Sequence, residues 1–259
     1  MADDYIYFKT QIMQMTGIDL SSYKETQMKR RIDSLIARKG LKGYSAFVLA
    51  LKTDPVLFKE FVTYLTINVS EFYRNPDQWE YMDKEIIPYL VQTFGTNLKI
   101  WSAACSTGDE PYSLVMALSK HIPLHQIKIY ATDLDEQIIE KAKLGLYSEK
   151  SVASVPKEFL TKYFHKVGDS YQISKEIKER VTFSKHNLLD SAYPKDFHYI
   201  VCRNVLIYFT EEAKDMVYRK FYSSLNKGGI LFIGSTEQIV NYRTIGYGRK
   251  NSFFYEKSL

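Results

Sequence analysis

The stretch Lys99-Ile-Trp-Ser-Ala-Ala-Cys-Ser-Thr-Gly-Asp-Glu-Pro-Tyr112 reads as a buried strand that breaks into a tight turn and then a helix. Ile100 and the small residues after it suit a parallel strand, Gly108 supplies the turn, and Pro111 falls near the first helical position. The helix then carries an apolar face of Leu114, Val115, Ala117 and Leu118. In an α/β sheet, ligands bind at the carboxyl ends of the strands, so this turn is a candidate cofactor crevice. A dinucleotide site needs a Gly-x-Gly-x-x-Gly turn through which phosphates approach backbone N–H groups. Here one glycine is present, and Asp109 and Glu110 stand where phosphate would bind. Two carboxylates repel phosphate and favour a cationic ligand.

A second acidic signal follows in Gln126-Ile-Lys-Ile-Tyr-Ala-Thr-Asp-Leu-Asp135. Ile127, Ile129 and Ala131 alternate as in a strand, which ends in carboxylates. An acid at the end of the second strand of such a unit accepts hydrogen bonds from a ribose diol. Asp133 and Asp135 are also suited to capping a helix over 136–143. A ribose without phosphate, joined to a positive group, describes S-adenosylmethionine: adenosine, a sulfonium and a methionine tail.

Length and composition fit one large domain and a small one, with 259 residues, 45% hydrophobic and 25% charged. The acidic, polar residues Met1-Ala-Asp-Asp do not read as a signal peptide, so none is expected, and no apolar run approaches the roughly 18 residues that span a bilayer. A soluble, cytoplasmic protein is expected. Cys105 and Cys202 read as small buried packing residues. The five histidines, His121, His125, His165, His186 and His198, form no ligand-spaced set, so no metal is expected. Residues 1–75 read as an all-helical domain, with apolar spacing of three and four over 5–16, 24–39, 44–52 and 55–65. Residues 76–259 read as an α/β domain entered through a linker helix in 76–95. Its strands fall at 99–103, 128–132, 181–185, 199–203, 229–234 and 253–256, with helices at 111–120, 136–144 and 211–225. That alternation predicts a Rossmann-like, doubly wound, mostly parallel sheet. A small antiparallel insertion is expected at about 151–182, where the alternation breaks.

Charge is unevenly spread. Between residues 21 and 43, Lys24, Lys29, Arg30, Arg31, Arg38, Lys39 and Lys42 face only Glu25 and Asp33, an excess of +5 that equals the net charge of the whole chain. On a helix, Lys24, Arg31 and Arg38 are spaced by sevens and lie within about 40° of one another. Met28, Ile32, Leu35 and Ile36 form the buried stripe. The cationic face is either simply solvated or a docking surface for an acidic partner.

Together these motifs resemble the CheR family of chemotaxis-receptor glutamate O-methyltransferases. The resemblance rests on Thr66-Ile-Asn-Val-Ser-Glu-Phe-Tyr-Arg-Asn75, Ile100-Trp-Ser-Ala-Ala-Cys-Ser-Thr-Gly-Asp-Glu-Pro-Tyr-Ser113 and Ala131-Thr-Asp-Leu-Asp135. It continues through Asn187-Leu-Leu189, Cys202-Arg-Asn-Val-Leu-Ile-Tyr-Phe209 and Gly234-Ser-Thr-Glu237, and so covers nearly the whole chain. It implies a class I methyltransferase fold, S-adenosyl-L-methionine as cofactor and S-adenosyl-L-homocysteine as product. Asn68, Ser70 and Arg74 match a segment that closes over the cofactor, Glu110 a cofactor-contacting acid, and Asp133 the ribose acid. Asn187 and Leu188 match residues flanking the adenine, and Arg203 and Asn204 residues beside the methionine moiety. Tyr208 matches a tyrosine near the transferable methyl, and catalytic roles are expected for Arg74 and Tyr208 in orienting the cofactor tail and the incoming carboxylate. Arg31 matches an arginine of receptor recognition, with Lys24 and Arg38 sharing its helical face as expected substrate-binding residues. Asp109 departs from the pattern, where glutamate is common. Without the resemblance, Asn68 followed by Glu71 is equally a helix-capping pattern, Arg74 a surface partner of Glu71, Asn187 a turn residue and Tyr208 core packing. The implied partner is the acidic, helical cytoplasmic domain of chemotaxis receptors, with no membrane insertion and a monomer by default. Nucleic acid is not expected as a substrate, because Cys202-Arg-Asn-Val205 stands where base methyltransferases commonly carry Asn/Asp-Pro-Pro-Tyr.

Overall fold

Apolar spacing of three and four gives four helices at the start of the chain: α1 (Ala2–Thr16), α2 (Glu25–Arg38), α3 (Gly43–Thr53) and α4 (Pro55–Leu65). The computed structural model describes residues 2–190 and 192–258. It divides into two units, Met1–Ile67 with Leu206–Val217, and Asn68–Val205 with Tyr218–Leu259. In the first, fully buried Phe8 meets the rings of Tyr44, Phe47 and Phe61 at centroid distances of 5.1, 6.1 and 6.1 Å. Helix α2 buries Met28, Ile32, Leu35 and Ile36, as its sequence stripe predicts. Asp54 caps α4 by accepting the N–H groups of Val56 and Leu57, with Pro55 opening the helix. The later segment joins this unit through backbone bonds: Lys24 N–H donates to Tyr208 O at 2.9 Å and Thr210 N–H to Ser22 O at 2.9 Å.

The second unit opens with α5 (Pro76–Tyr81), which runs through a π-helical turn (Met82–Ile86) into α6 (Ile87–Phe94). Among the described residues ten strands follow: β1 (Ile100–Ala103), β2 (Ile129–Asp133), β3 (Leu146–Ser148), β4 (Phe164–Val167), β5 (Ser170–Ile173), β6 (Val181–Lys185), β7 (Phe197–Cys202), β8 (Leu225–Ile233), β9 (Tyr247–Arg249) and β10 (Phe254–Lys257). Between them lie α7 (Asp109–Leu118), α8 (Glu136–Leu144), the short α9 (Glu149–Val152), α10 (Lys157–Tyr163) and α11 (Lys175–Lys178), then α12 (Glu211–Ser224) and α13 (Tyr242–Ile245).

Seven strands form one sheet in the order β6-β2-β1-β7-β8-β10-β9. Pairings from β6 to β8 are parallel, and β10 runs antiparallel to both neighbours. From β1 the chain winds outward to β2 and β6, then returns to pair β7 on the other side of β1. The order of winding therefore reverses between β1 and β7. In a doubly wound sheet this is where a crevice opens at the carboxyl ends of the strands.

Several boundaries differ from the sequence reading, for local reasons. Helix α7 is buried all round from Pro111 to Leu118 rather than on one face. The antiparallel sheet, in the order β3-β5-β4, begins at Leu146, ahead of the expected insertion. Gly145 sets that start: it ends α8 at φ 68°, and a Cβ there would lie 2.7 Å from Ile173 Cγ2. Strand β8 begins at Leu225, four residues before the predicted 229, and β9 was not foreseen. Among the described residues no helix is long and apolar enough to cross a membrane.

Trp101 on β1 is fully buried, packed edge-on against His186, Tyr193 and Phe221 and tilted against Phe197. Its indole N–H donates to Thr132 Oγ1 at 2.9 Å. Thr132→Val keeps the shape and orphans this buried donor. The variant is expected to lose about 1–3 kcal/mol, seen as a lower urea midpoint at unchanged m-value.

Candidate functional site

The end of β1 is a chain of left-handed residues. Ala104 (φ 61°), Ser106 (φ 49°) and Gly108 (φ 88°) turn the backbone into α7. A Cβ on Gly108 would lie 3.0 Å from both Ala142 Cβ and Tyr112 Cε2, so the turn is tight in space as well as in angle. Asp133, at the end of β2, holds this turn. Its Oδ2 accepts the Ser106 N–H at 2.8 Å and its Oδ1 the Asp135 N–H at 3.0 Å. Burial pushes the Asp133 carboxyl pKa up, against the pull of these N–H donors. Capping of α8 falls to Asp135, which accepts the N–H groups of Gln137 and Ile138.

Residues 68–75 form an irregular strap rather than the start of a helix, so Asn68 is not a helix cap. Asn68 Nδ2 donates to Asp135 Oδ2 at 3.1 Å, the Ser70 hydroxyl bonds Asp109, and Tyr73 N–H donates to Ser113 Oγ at 3.1 Å. Phe72 is fully buried, edge-on to Tyr147 and Phe164. Tyr73 (φ 50°) and Asn75 (φ 61°) are again left-handed.

Arg203 and Asn204 follow β7. The Arg203 guanidinium is nearly buried, and its Nη2 is shared among Arg74 O (2.8 Å), Asn75 Oδ1 (3.0 Å) and Gln78 Oε1 (2.9 Å). Its Nη1 lies 3.8 Å from Glu110 Oε2, while Glu110 Oε1 accepts the Ser102 hydroxyl at 2.8 Å. Burial pushes Glu110 up to about 7 against the opposing pull of Arg203 and Ser102. Asn204 is left-handed (φ 59°), and its N–H donates to Glu237 Oε2 at 3.0 Å.

These segments enclose one small polar cleft, bordered by Ser70, Glu71 and Arg74, by Ser106 and Glu110, and by Arg203 and Asn204. The Ser106 hydroxyl is buried there with no partner in the protein, a polar atom left for a ligand. One carboxylate at the helix start, an orphan hydroxyl and no phosphate cradle fit the ammonium-bearing tail of S-adenosylmethionine better than a nucleotide phosphate.

Of the residues singled out from sequence, Ser70, Arg74, Glu110, Arg203 and Asn204 border this cleft, with Asp133 directly beneath Ser106. Asn187 makes a turn after β6, its Oδ1 accepting the Leu189 N–H at 3.0 Å, and Tyr193 OH donates to Leu188 O at 2.6 Å. Neither Asn187 nor Leu188 is among the residues lining the cleft. Tyr208, Lys24, Arg31 and Arg38 belong to the helical unit. There Arg31 is half-buried: its Nη2 donates to Tyr64 O at 2.7 Å, and the Arg31 and Arg38 guanidinium carbons lie 4.6 and 4.9 Å from the Tyr64 ring centre. Arg38 remains exposed, as do Lys29, Arg30, Lys39 and Lys42. Sequence reasoning gave no role to Ser102, Gln78 or Glu237, although Glu237 lies in a motif it quoted. Both cysteines are buried free thiols, and among the described residues no cluster of three or more His, Cys, Asp or Glu is placed to hold a metal.

Residues 3–66 match the family described as "CheR methyltransferase, all-alpha domain", and residues 68–248 the one described as "CheR methyltransferase, SAM binding domain". A chemotaxis protein methyltransferase of Listeria innocua is 43% identical over 255 residues, covering 98% of this chain and 97% of that protein. A protein of the same description from Borreliella burgdorferi is 32% identical over 244 residues, covering 89% of this chain and 86% of that protein. Chemotaxis protein methyltransferase 2 of Vibrio cholerae is 33% identical over 268 residues, with 98% and 92% covered.

Glu110 carries a measurable signature. In the folded protein it keeps its proton to about pH 7, whereas in the unfolded chain it loses it near the ordinary value of 4.5. The folded state therefore binds the extra proton between those limits, and stability contributed by this group falls as pH rises from about 4.5 to 7, then levels off. Glu110→Gln should flatten that slope, on the order of 3 kcal/mol across the window, in urea melts taken at pH 5, 6, 7 and 8.

Proposed function

The chain belongs to the CheR methyltransferase family, and we propose that it transfers a methyl group from S-adenosylmethionine to glutamate side chains of chemotaxis receptors, forming methyl esters. The observation that carries this reading is the cleft at the end of β1. It combines a largely buried Glu110 with an unpartnered Ser106 hydroxyl and has no phosphate-binding turn. The names of its relatives, chemotaxis protein methyltransferases, support the class of substrate.

When bound, S-adenosylmethionine supplies an electrophilic methyl group on a positively charged sulfur. A substrate glutamate, with a reference pKa of about 4.3, is already ionised at pH 7, so no residue of this chain is needed as a general base. The work left to the protein is alignment and exclusion of water. Opposite charges cancel on the way to ester and thioether, so a poorly hydrated cleft favours the transition state over the charged ground state. Glu110 is assigned the ammonium group of the methionine tail, and Arg74 the orientation of that tail; Asn68, Ser70, Arg203 and Asn204 complete the wall. Asp133 is assigned the ribose from its place at the carboxyl end of β2, the second strand of the winding unit. Asn187 and Leu188 take the adenine, and Tyr208 is assigned the incoming carboxylate on the sequence resemblance alone.

Docking is assigned to the cations of α2 and its flanks, the exposed Arg38 with the half-buried Lys24 and Arg31, facing acidic helical surfaces of the receptors' cytoplasmic domain. Incubating the protein with methyl-labelled cofactor and receptor-bearing membranes should give base-labile methyl esters; label confined to RNA, or no transfer, would refute the reading. Arg38→Ala should raise KM for receptor roughly fivefold at low salt, about 1 kcal/mol, and leave cofactor affinity unchanged, the difference shrinking as salt rises. Arg31→Ala combines this effect with loss of the bond to Tyr64 O, and is expected to lower the melting temperature as well.

A further inference from the structure

Glu237 is a buried acid, 6% exposed, to which neither the sequence reading nor the proposed chemistry gives a role. It lies just beyond β8, whose last residue, Ile233, is in register with Cys202 at the end of β7. Past this pair the two strands part, Asn204 leaving one and Gly234 the other. One oxygen holds both exits together: Glu237 Oε2 accepts the Gly234 N–H at 2.7 Å and the Asn204 N–H at 3.0 Å. The packing leaves no slack. A Cβ on Gly234 would lie 2.8 Å from each of Asn204 N, Asn204 Nδ2 and Glu237 Oε2. Asn204 itself sits at φ 59°, a conformation that costs an asparagine free energy unless neighbouring bonds hold it.

Two short bonds to one carboxylate oxygen are the neighbouring bonds required. We infer that Glu237 is a positioning residue of the methyltransferase site: it clamps Asn204 in its left-handed conformation at the cleft wall, and Gly234 is glycine because the clamp closes on it. This rests on the proposed function, in which Asn204 borders the cofactor. At Oε2 the clamp needs an oxygen acceptor rather than a negative charge, because the two groups it holds there are backbone N–H donors. Glu237→Gln keeps that oxygen, whereas Glu237→Ala leaves two buried donors unmet.

The test is binding of S-adenosylhomocysteine by calorimetry, with kcat and KM for the cofactor, on wild type, Glu237→Ala and Glu237→Gln, each checked for folding by near-UV circular dichroism. Glu237→Ala should weaken binding about 10-fold to 100-fold, and Glu237→Gln should recover most of that loss. If Glu237→Ala does not fold, Glu237→Gln decides alone. Near-native affinity then supports the clamp, and a loss as large as 10-fold overturns it. A folded Glu237→Ala that binds as wild type also overturns it. Failure of the wild type itself to bind S-adenosylhomocysteine refutes the functional reading instead.

Discussion

Burying a guanidinium and a carboxylate together at the β1/β7 switch point is the constraint on which this site depends. Arg203 and Glu110 are both withdrawn from water, yet their closest approach is only 3.8 Å. Direct Coulomb attraction at that distance does not offset the cost of desolvating both groups. The remaining stabilisation comes from neutral partners: Ser102 for Glu110, and the strap atoms of Arg74, Asn75 and Gln78 for Arg203. Arg203 therefore does more to fasten the 74–78 turn than to neutralise Glu110. The acid is left under-compensated, with its pKa near 7, and a cationic ligand group can supply what the protein does not.

The same logic explains the strain gathered around the cleft. Of the seven non-glycine residues with positive φ among the described residues, Ile67, Tyr73, Asn75, Ala104, Ser106 and Asn204 lie in or next to the segments that border it. Such residues cost on the order of 1–3 kcal/mol each and persist only where neighbours over-determine them. Two buried acids supply much of that determination. Asp133 fixes the turn after β1 through Ser106, and Glu237 fixes the exit of β7 through Asn204. A carboxylate accepting backbone N–H groups is suited to this work, because it satisfies strand-end donors that no longer have a ladder partner.

How much of this was legible in the sequence follows from how local each feature is. The strand, turn and helix over 99–118 are set by adjacent residues, and their boundaries came within one or two positions of those observed. The strap at 68–75 carries family-like residues, but its Asn68 and Glu71 also match a capping box. What keeps it irregular is distant in sequence: Asp135, Ser113 and the Arg203 guanidinium. Strand β3 is only three residues long, and β8 opens with Leu225 followed by Asn226-Lys-Gly-Gly229, which reads as a turn. The joining of 206–217 to the helical unit rests on backbone bonds between segments nearly two hundred residues apart, for which spacing gives no sign.

The basic segment illustrates why counting charges is a weak guide to a docking surface. Seven cations between residues 21 and 43 look equivalent in the sequence, yet the fold sorts them. Arg31 donates to the Tyr64 carbonyl in the last turn of α4 and lies over the Tyr64 ring, a cation at a helix end whose carbonyls need donors. Lys39 is paired with Glu60 at 2.6 Å. Arg30 and Lys42 are exposed, and Arg38 is exposed while leaning on Tyr64, so these keep their charge facing water. A partner with an acidic surface gains most from cations that are neither paired nor desolvated, since those bring no prior bond to break. In the proposed docking, Arg38 is therefore the cation whose loss has the smaller structural consequence, whereas Arg31 is also tied to α4 through Tyr64 O.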